Sequence, residues 1–283
     1  MIDLHCHSFH SDGTDAPEKL PHFAEAIGLT ALALTDHDTV DGLPAFLAQQ
    51  AFVNVRLLAG TELSCHFMGK SLHVLGLLVD PQDACFAKRL VELRSRREDR
   101  NERLLARLND LGVSLTFEAI QAEADSPLIS RVHVAKALVT SGTFGTIQEA
   151  FSKLLGDGKP GCVPREELSP KEAALWIREA GGVPLVAHPG RFAGPSFRWD
   201  EAMTELRQEG MAGFETVYGD YGPQEEAYFR ALAGRLGMVE SGGSDYHGDN
   251  KPGVVLGRGR KGIRVPDEFL EGIEQNKAQG DWN

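Results

Sequence analysis

The chain has 283 residues, of which 42% are hydrophobic and 25% charged, a composition typical of a globular protein and not of a disordered or fibrous one. Its 41 acidic and 29 basic residues give a formal net charge of −12, which argues against a protein whose whole surface binds nucleic acid or anionic membrane. A phosphorylated substrate is not excluded, because bound divalent metals would offset part of the carboxylate charge.

Short β-like runs alternate with longer helical patterns along most of the chain, as in βα units around a parallel sheet. The patterns predict strands at 2–5, 30–35, 55–59, 72–79, 183–187, 213–217 and 238–240. Helices are predicted to begin near Pro17, Asp41, Ser169, Asp200 and Pro223. The length favours about two domains, although one α/β barrel could also account for the whole chain.

Residues 83–168 break this alternation, since they contain helix-period segments and no convincing strand. We therefore expect a helical insertion at 83–168 in a barrel formed by 1–82 and 169–283. Residues 88–107 within it carry eight basic and four acidic side chains. We interpret them as a solvated helix, with Arg97 and Arg100 among its exposed positions.

The four cysteines show no C-x-x-C spacing, and no signal-peptide segment precedes the first polar motif. The longest apolar runs, such as 74–79, are far shorter than the roughly 18 residues of a membrane span. We expect a cytoplasmic protein that has no membrane segment.

Histidines and carboxylates recur at the predicted strand ends. His5 and His7 are two apart on a strand, so both imidazoles project from one face while Cys6 points the other way. Asp12 follows in a polar turn that could bring its carboxylate back to the same strand end. The other such residues are His37, Glu62, His73, His188, Asp245 and His247.

Each of these residues also has a structural interpretation when taken alone. H-x-H is often a surface pair, Asp36 and Asp38 beside His37 are typical turn or helix-capping residues, and a single strand histidine such as His73 is more often part of the core. Nine independent coincidences would be needed to explain the whole set in this way.

A set of six imidazoles and three carboxylates without a thiolate suits Zn, Mn or Fe. It does not suit Ca, which binds oxygen ligands, or a structural zinc site, which is usually rich in cysteine. Nine ligands are too many for one metal that keeps an open position, so we predict two to three divalent metals. The two oxygens of Glu62 could bridge a pair of them.

The ordered motifs of the chain resemble those of the polymerase-and-histidinol-phosphatase (PHP) family. They are His5-Cys6-His7-Ser8, Ser11-Asp12-Gly13, Thr35-Asp36-His37-Asp38, Gly60-Thr61-Glu62, His188-Pro189-Gly190 and Ser244-Asp245-Tyr246-His247. The resemblance implies a distorted seven-stranded β/α barrel with a trinuclear metal centre.

By the same resemblance, the first metal is held by His5, His7, Glu62 and Asp245, the second by Glu62, His73 and His188, and the third by Asp12, His37 and His247. The family often has a histidine where this chain has Asp12. A carboxylate there makes the third site harder and more manganese-like.

Two segments of the insertion resemble one subgroup of the family, Ser130-Arg131-Val132-His133 and Gly158-Lys159-Pro160-Gly161. That subgroup removes the 3′-phosphate from nucleoside 3′,5′-bisphosphates, and some members are 5′→3′ exonucleases on short RNA. The resemblance implies that the insertion is a substrate cap in which Ser130, Arg131, His133 and Lys159 bind phosphate. Alternatively, Arg131 and His133 are ordinary residues at a helix start.

The ligand set predicts phosphate ester hydrolysis, with a metal-bridging water as nucleophile and Arg131 and His133 orienting the phosphate. His10, Asp36 and His133 are candidates for protonating the leaving group. We expect a small phosphorylated nucleotide or a short RNA 5′ end as the partner, no membrane, and no obligate protein partner.

Two other functions fit parts of the pattern. A metal-dependent amidohydrolase also begins with H-x-H and ends with an aspartate, but it usually recruits a mid-barrel lysine that no predicted strand end offers here. A non-catalytic phosphate-binding module is the other alternative, and the full set of ligand types argues against it.

Overall fold

The computed structural model describes residues 1–124, 129, 131–156, 158–163, 168–193 and 197–280. The chain forms two compact units, a first made of Met1–Leu90 with Glu167–Asn283 and a second made of Val91–Glu166. The predicted domain boundaries at 82/83 and 168/169 stay a prediction. No helix in the described ranges is long and apolar enough to cross a membrane.

Seven strands form one sheet in chain order, and every predicted strand is present. They are β1 (Ile2–Asp3), β2 (Ala31–Leu34), β3 (Arg56–Phe67), β4 (Lys70–Leu77), β5 (Val183–Val186), β6 (Gly213–Tyr218) and β7 (Val239–Gly243). The chain beyond β1 meets β7, because Leu4 N donates to Gly242 O at 3.1 Å and Asp245 N donates to His5 O at 2.9 Å. The sheet is thereby a nearly closed barrel, which confirms the predicted fold class.

Strand β4 departs from the all-parallel sheet that the sequence predicts. It runs antiparallel to both β3 and β5, whereas the other neighbouring pairs are parallel. Strand β3 continues beyond the predicted end at residue 59 as far as Phe67, and a two-residue turn at Met68 and Gly69 then reverses the chain. Both turn residues have positive φ, +46° and +79°, as tight hairpin turns require.

Within the described ranges, eleven α-helices connect or follow these strands. They are α1 (Leu20–Ala26), α2 (Leu43–Ala48), α3 (Ala84–Asp110), α4 (Phe117–Gln121), α5 (Arg131–Thr140), α6 (Ile147–Ala150), α7 (Pro170–Glu179), α8 (Pro189–Phe192), α9 (Trp199–Gln208), α10 (Pro223–Leu236) and α11 (Glu268–Gln279). Short 3₁₀ turns lie at Gln49–Ala51 and Gly248–Asn250, and Phe151–Leu155 is a π-helix. Helix α7 begins where predicted, because Ser169 and Glu172 form a reciprocal capping box.

The apolar core of the first unit lies between the strands and α11. Leu75 and Leu185 of neighbouring strands are fully buried in it, and Ile273 of α11 packs against the same cluster. Since apolar residues fill this part of the barrel, polar side chains are left to gather where the strands end.

The second unit has its own core, in which Leu108, Leu138 and Leu155 are fully buried. The expectation that Arg100 is solvated is wrong, because it is only 3% exposed and donates to Asn101 Oδ1 at 3.0 Å. Asn101 in turn donates to Ile129 O at 3.2 Å. The Arg97 side chain lies outside the described residues. The charge composition of α3 alone did not show which of its arginines are buried and which are exposed to solvent.

Candidate metal centre

The loop after β1 places two imidazoles side by side. Nε2 of His5 and Nε2 of His7 are 3.0 Å apart, and both rings are fully buried. Cys6 points away from them and donates through Sγ to Ala33 O on β2 at 3.2 Å. Two ring nitrogens directed at one point leave room for at most one shared proton, so a cation between them is chemically favoured.

Glu62 is at the centre of the cluster, and its two oxygens contact different histidines. Oε1 lies 3.0 Å from both His73 Nδ1 and His188 Nε2. Oε2 lies 3.2 Å from His5 Nε2, 3.3 Å from His7 Nε2 and 3.1 Å from His37 Nδ1. One carboxylate therefore contacts five imidazoles, as a bridging ligand would.

Two further carboxylates complete the cluster. Asp12 lies with Oδ1 at 3.2 Å from His247 Nε2 and with Oδ2 at 3.6 Å from His37 Nε2. Asp245 Oδ1 lies 3.6, 3.5 and 3.4 Å from ring nitrogens of His5, His7 and His247. The structure thus brings all nine residues selected from the sequence into one contiguous cluster.

The donor atoms of the cluster fall into four overlapping groups, and within each group they lie within 4.8 Å of one another. The groups are His7, Asp12, His37 and His247; His5, His7 and Asp245; His5, Glu62 and His188; and His37, Glu62 and His73. Asp12, His37 and His247, the three residues that the resemblance assigns to a third metal, all belong to the first of these groups. Overlap of this kind is expected where several cations share ligands, and the assignment of ligands to individual metals stays a prediction.

Two atoms of the cluster test whether it fits a metal. His37 Nδ1 and Glu62 Oε2 are buried and make no hydrogen bond to any described residue, although they are only 3.1 Å apart. A buried polar atom without a partner is costly, and a coordinated cation would satisfy both. The donor set, made of imidazole nitrogens and carboxylate oxygens, is one that Zn, Mn and Fe accept.

The electrostatics of the cluster also favour a cation. Burial opposes ionisation of Glu62, yet the surrounding histidines hold its pKa well below the usual range. Burial would likewise lower the pKa of His7, but the neighbouring carboxylates of Asp245 and Glu62 raise it to about 9. For His37 burial prevails and lowers the pKa to about 4. The carboxylates therefore stay ionised and attract positive charge.

The two aspartates beside His37 hold the loops and do not face the cluster. Asp36 accepts hydrogen bonds from Ser8 N at 2.7 Å and from the hydroxyls of Ser8 and Ser11 at 2.6 Å each. Asp38 accepts from Ser64 N at 2.8 Å and Ser64 Oγ at 3.0 Å. Both residues therefore have a structural role, but these bonds join distant segments and do not cap a local turn or helix as the sequence suggests. With three donors on its oxygens, Asp36 is a poor candidate for the leaving-group acid.

Backbone strain is concentrated at this cluster. Asp38, His188 and Asp245 have positive φ values of 51°, 28° and 54°, which non-glycine residues rarely adopt. At His188 the backbone N–H donates to Glu215 Oε2 at 2.6 Å, which holds the strained turn after β5. Conformations of this cost persist where the surroundings fix side chains for function.

Four residues around the cluster were not selected from the sequence. Glu215 on β6 accepts from His5 Nδ1 at 3.0 Å. Asp245 Oδ2, which we call the outer oxygen of this carboxylate, contacts the other three residues, Tyr218, Arg191 and Lys251. Glu215 could have been selected from the sequence, because a glutamate is unusual inside an apolar strand such as Gly213–Tyr218. Tyr218 is the last residue of β6, and Arg191 and Lys251 lie in the segments after β5 and β7. Charged and aromatic residues are common at such positions, so their residue types did not distinguish them.

The predicted phosphate-binding residues belong to the second unit. Arg131 is the first residue of α5 and His133 lies two positions later, and both are half-buried. Lys159 is exposed. Ser130 lies outside the described residues. The role of these four residues in binding phosphate stays a prediction.

A nearly closed seven-stranded barrel that gathers six histidines and three carboxylates into one cluster, from its strands and the loops that follow them, defines a metal-dependent hydrolase. The model of the PHP domain matches residues 3–152, which is more than half of the chain. The chain belongs to the PHP family, and it is a metal-dependent phosphoesterase of that family. The family resemblance found in the sequence is thereby confirmed.

Several known proteins are similar over almost the whole chain. A 3′,5′-nucleoside bisphosphate phosphatase of Chromobacterium violaceum is 34% identical over 257 residues, 90% of each chain. A 5′-3′ exoribonuclease of Haemophilus influenzae is 30% identical over 246 residues, 87% of this chain and 89% of the relative. A solved structure from Chromobacterium violaceum, named as an amidohydrolase and holding sulfate but no metal, is 32% identical with a TM-score of 0.79 and covers 97% of this chain and 96% of its own.

Proposed function

We propose that the protein hydrolyses the 3′-phosphate of nucleoside 3′,5′-bisphosphates at a centre of two to three divalent metals. The observation that carries this proposal is the cluster around Glu62, whose two oxygens contact separate sets of histidines. The 34% identical bisphosphate phosphatase supports the choice of substrate. Six histidines, two aspartates and Glu62 would hold the metals.

When bound, the metals supply Lewis acidity and a water of lowered pKa. The chain itself orients the ligands, since Glu215 fixes the His5 ring and the hydrogen bonds of Asp36 and Asp38 fix the loops around His37. Arg131, His133 and Lys159 are proposed to bind substrate phosphate. Burial of Glu62, His5 and His7 limits competing water and strengthens electrostatic interactions with a phosphate.

Phosphate release identifies the substrate class directly. The purified protein, supplied with Mn or Zn, is assayed on adenosine 3′,5′-bisphosphate, adenosine 3′-monophosphate, short 5′-phosphorylated RNA and histidinol phosphate. We expect the bisphosphate to give phosphate and adenosine 5′-monophosphate, and to have the highest kcat/KM because a second phosphate adds binding contacts remote from the reacting one. Release of adenosine 3′-monophosphate instead would contradict the proposal.

The relative named as an exoribonuclease favours a second activity, stepwise hydrolysis of short RNA from its 5′ end. Mononucleotides appearing in order from 5′-phosphorylated RNA would support it. A higher kcat/KM on RNA than on the bisphosphate would make the exonuclease the main function. Glu62→Gln serves as the control for both assays, because an enzyme that works through this cluster must lose both activities.

A further inference from the structure

Three side chains from different elements meet at the outer oxygen of Asp245. Tyr218 comes from the end of β6, Arg191 from α8 and Lys251 from the loop after the 3₁₀ turn Gly248–Asn250. Arg191 Nη1 lies 3.4 Å from Asp245 Oδ2, and Lys251 Nζ pairs with the same oxygen. None of these residues is among the nine donors.

The Tyr218 hydroxyl fixes the position of both cations. It donates to Asp245 Oδ2 at 2.6 Å and accepts from Arg191 Nη1 and Lys251 Nζ at 3.1 Å each. A phenol has one proton to donate and can accept on its oxygen, so this arrangement uses its full capacity. Because Tyr218 is completely buried, the two cations are held by a rigid residue.

The Asp245 carboxylate lies between these cations and a candidate metal group. Two cations face one carboxylate, and the other oxygen of that carboxylate, Oδ1, lies 3.6 and 3.5 Å from Nε2 of His5 and of His7 in a candidate metal group. A metal bound there would draw on the same negative charge. An anionic ligand would then restore the balance.

Arg191 has the geometry to contact such an anion. Its side chain is 55% exposed, and only Nη1 is engaged by any residue in the described part of the chain. Nε and Nη2 remain as a planar pair of donors, which matches two oxygens of a phosphate. Lys251, at 16% exposure, is held more deeply and adds positive potential.

The turn that carries Arg191 is itself fixed. Gly190 N donates to Tyr221 Oη at 2.6 Å, and a Cβ at position 190 would come within 2.7 Å of the Tyr221 ring. Only glycine allows this close approach. The guanidinium is therefore attached to a backbone that is anchored next to His188.

We propose that Arg191 and Lys251 form a phosphate subsite on the barrel, in which Arg191 contacts the oxygens of the phosphate group that is hydrolysed. The proposal rests on the proposed phosphatase function, and it identifies a substrate contact in addition to those predicted in the helical insertion. The reacting phosphate, and not a remote one, is assigned because the subsite shares Asp245 with a candidate metal group.

Binding of inorganic phosphate to the metal-loaded protein tests the subsite. We expect Arg191→Gln to weaken phosphate binding, measured by titration calorimetry, by about 10- to 100-fold while metal content stays unchanged. Arg191→Lys should recover part of the loss, because it keeps the charge without the planar fork. The matched control is Arg235→Gln on α10, since Arg235 is 51% exposed and pairs only with Asp200, at 2.8 Å, among the described residues.

Unchanged phosphate affinity in Arg191→Gln, with wild-type protein that still releases phosphate from the bisphosphate, would overturn the subsite alone. Loss of metal from Arg191→Gln would also overturn it, because Arg191 would then be a positioning residue for Asp245. Wild-type protein that neither binds phosphate nor hydrolyses any phosphate ester would overturn the proposed function together with the subsite.

Discussion

Glu215 shows how a single residue can determine the geometry of the centre without joining it. Its Oε1 accepts from His5 Nδ1 at 3.0 Å and its Oε2 accepts from His188 N at 2.6 Å. The first bond requires the proton of His5 on Nδ1, which leaves Nε2 for a metal. The second bond holds the backbone turn that carries the His188 side chain.

We expect Glu215→Gln to weaken metal binding by about 10- to 100-fold. Glutamine has one acceptor oxygen where glutamate has two, so its NH₂ group must face either the His5 ring or the His188 N–H. Competition with a fluorescent chelator measures the change. Glu205→Gln, an exposed substitution on α9, is the control, and equal metal affinity in the two variants would show that Glu215 does not position the ligands.

Arg131→Ala tests the contribution of the insertion. A hydrogen bond to a charged group is worth about 1.5–3 kcal/mol, so kcat/KM for the bisphosphate should fall by about 10- to 150-fold with metal content unchanged. Arg131→Lys should recover part of the activity. Arg103→Ala on the exposed side of α3 is the control, since Arg100 is buried and unsuitable. Full activity in Arg131→Ala would contradict a phosphate contact.

The residues that could be predicted from the sequence are those whose chemistry is unusual for their position. Histidines and acids at or near the ends of apolar runs identified most of the cluster, and Asp12 in a polar turn and His73 within a strand joined them because the whole set suited metals. Tyr218 and Lys251 could not be found in this way, because their importance arises from contacts between segments distant in the sequence. A tyrosine at the end of a strand and a lysine in a loop are both ordinary residue types for their positions.

At the level of elements, the strand positions were predictable but the direction of β4 was not. Hydrophobic runs determine where strands form, whereas direction depends on the connection. The turn Met68-Gly69 lacks the Asn-Gly or Asp-Gly pair that usually marks a hairpin. Because β3 and β4 are antiparallel, Ser64 pairs with His73, so His73 lies within reach of Glu62 from the middle of a strand.

Barrel closure depends on Asp3 at the end of β1. Its carboxylate accepts from Ser244 N at 2.9 Å, Ser244 Oγ at 2.6 Å, Gly257 N at 2.7 Å and His5 N at 3.2 Å. These bonds tie β1 to the segment that carries Asp245. Burial raises the pKa of Asp3, although the bonds from Ser244 and its neighbours act in the opposite direction.

Asp3→Asn should lower the free energy of unfolding by about 1–3 kcal/mol, because the amide NH₂ must face a buried N–H whichever way it turns. Chemical denaturation of the metal-free protein measures the change without the contribution of bound metal. Asp267→Asn, which affects an exposed ion pair with the N-terminus and an exposed hydrogen bond from Thr30 Oγ1, should cost less than about 1 kcal/mol. A loss no larger for Asp3→Asn than for this control would show that closure does not depend on the carboxylate.

For the whole molecule, the concentration of buried acids at one end of the barrel links stability to metal. Asp245 and Glu62 are fully or almost fully buried, and the chain carries a formal charge of −12. Removing the metals would leave these carboxylates balanced by the histidines and, at Asp245, by Arg191 and Lys251. A ligand that binds only the folded state stabilises it in proportion to the logarithm of its concentration.

Saturating Mn or Zn should therefore raise the Tm of the protein, by at least about 5 °C at one hundred times the Kd of one site. Differential scanning fluorimetry with and without a chelator measures this shift. Glu62→Gln provides the comparison, since loss of the central carboxylate should reduce the shift. Equal Tm values for chelated and metal-saturated wild-type protein would contradict a metal centre that is coupled to folding.

The number of metals bound by the active enzyme tests the central claim most directly. Metal analysis and phosphate release are measured on the same preparation during titration of metal-free protein with Mn or Zn. The nine donors and their four overlapping groups predict that activity reaches its maximum close to three metals per chain. Full activity at one metal per chain would contradict the account.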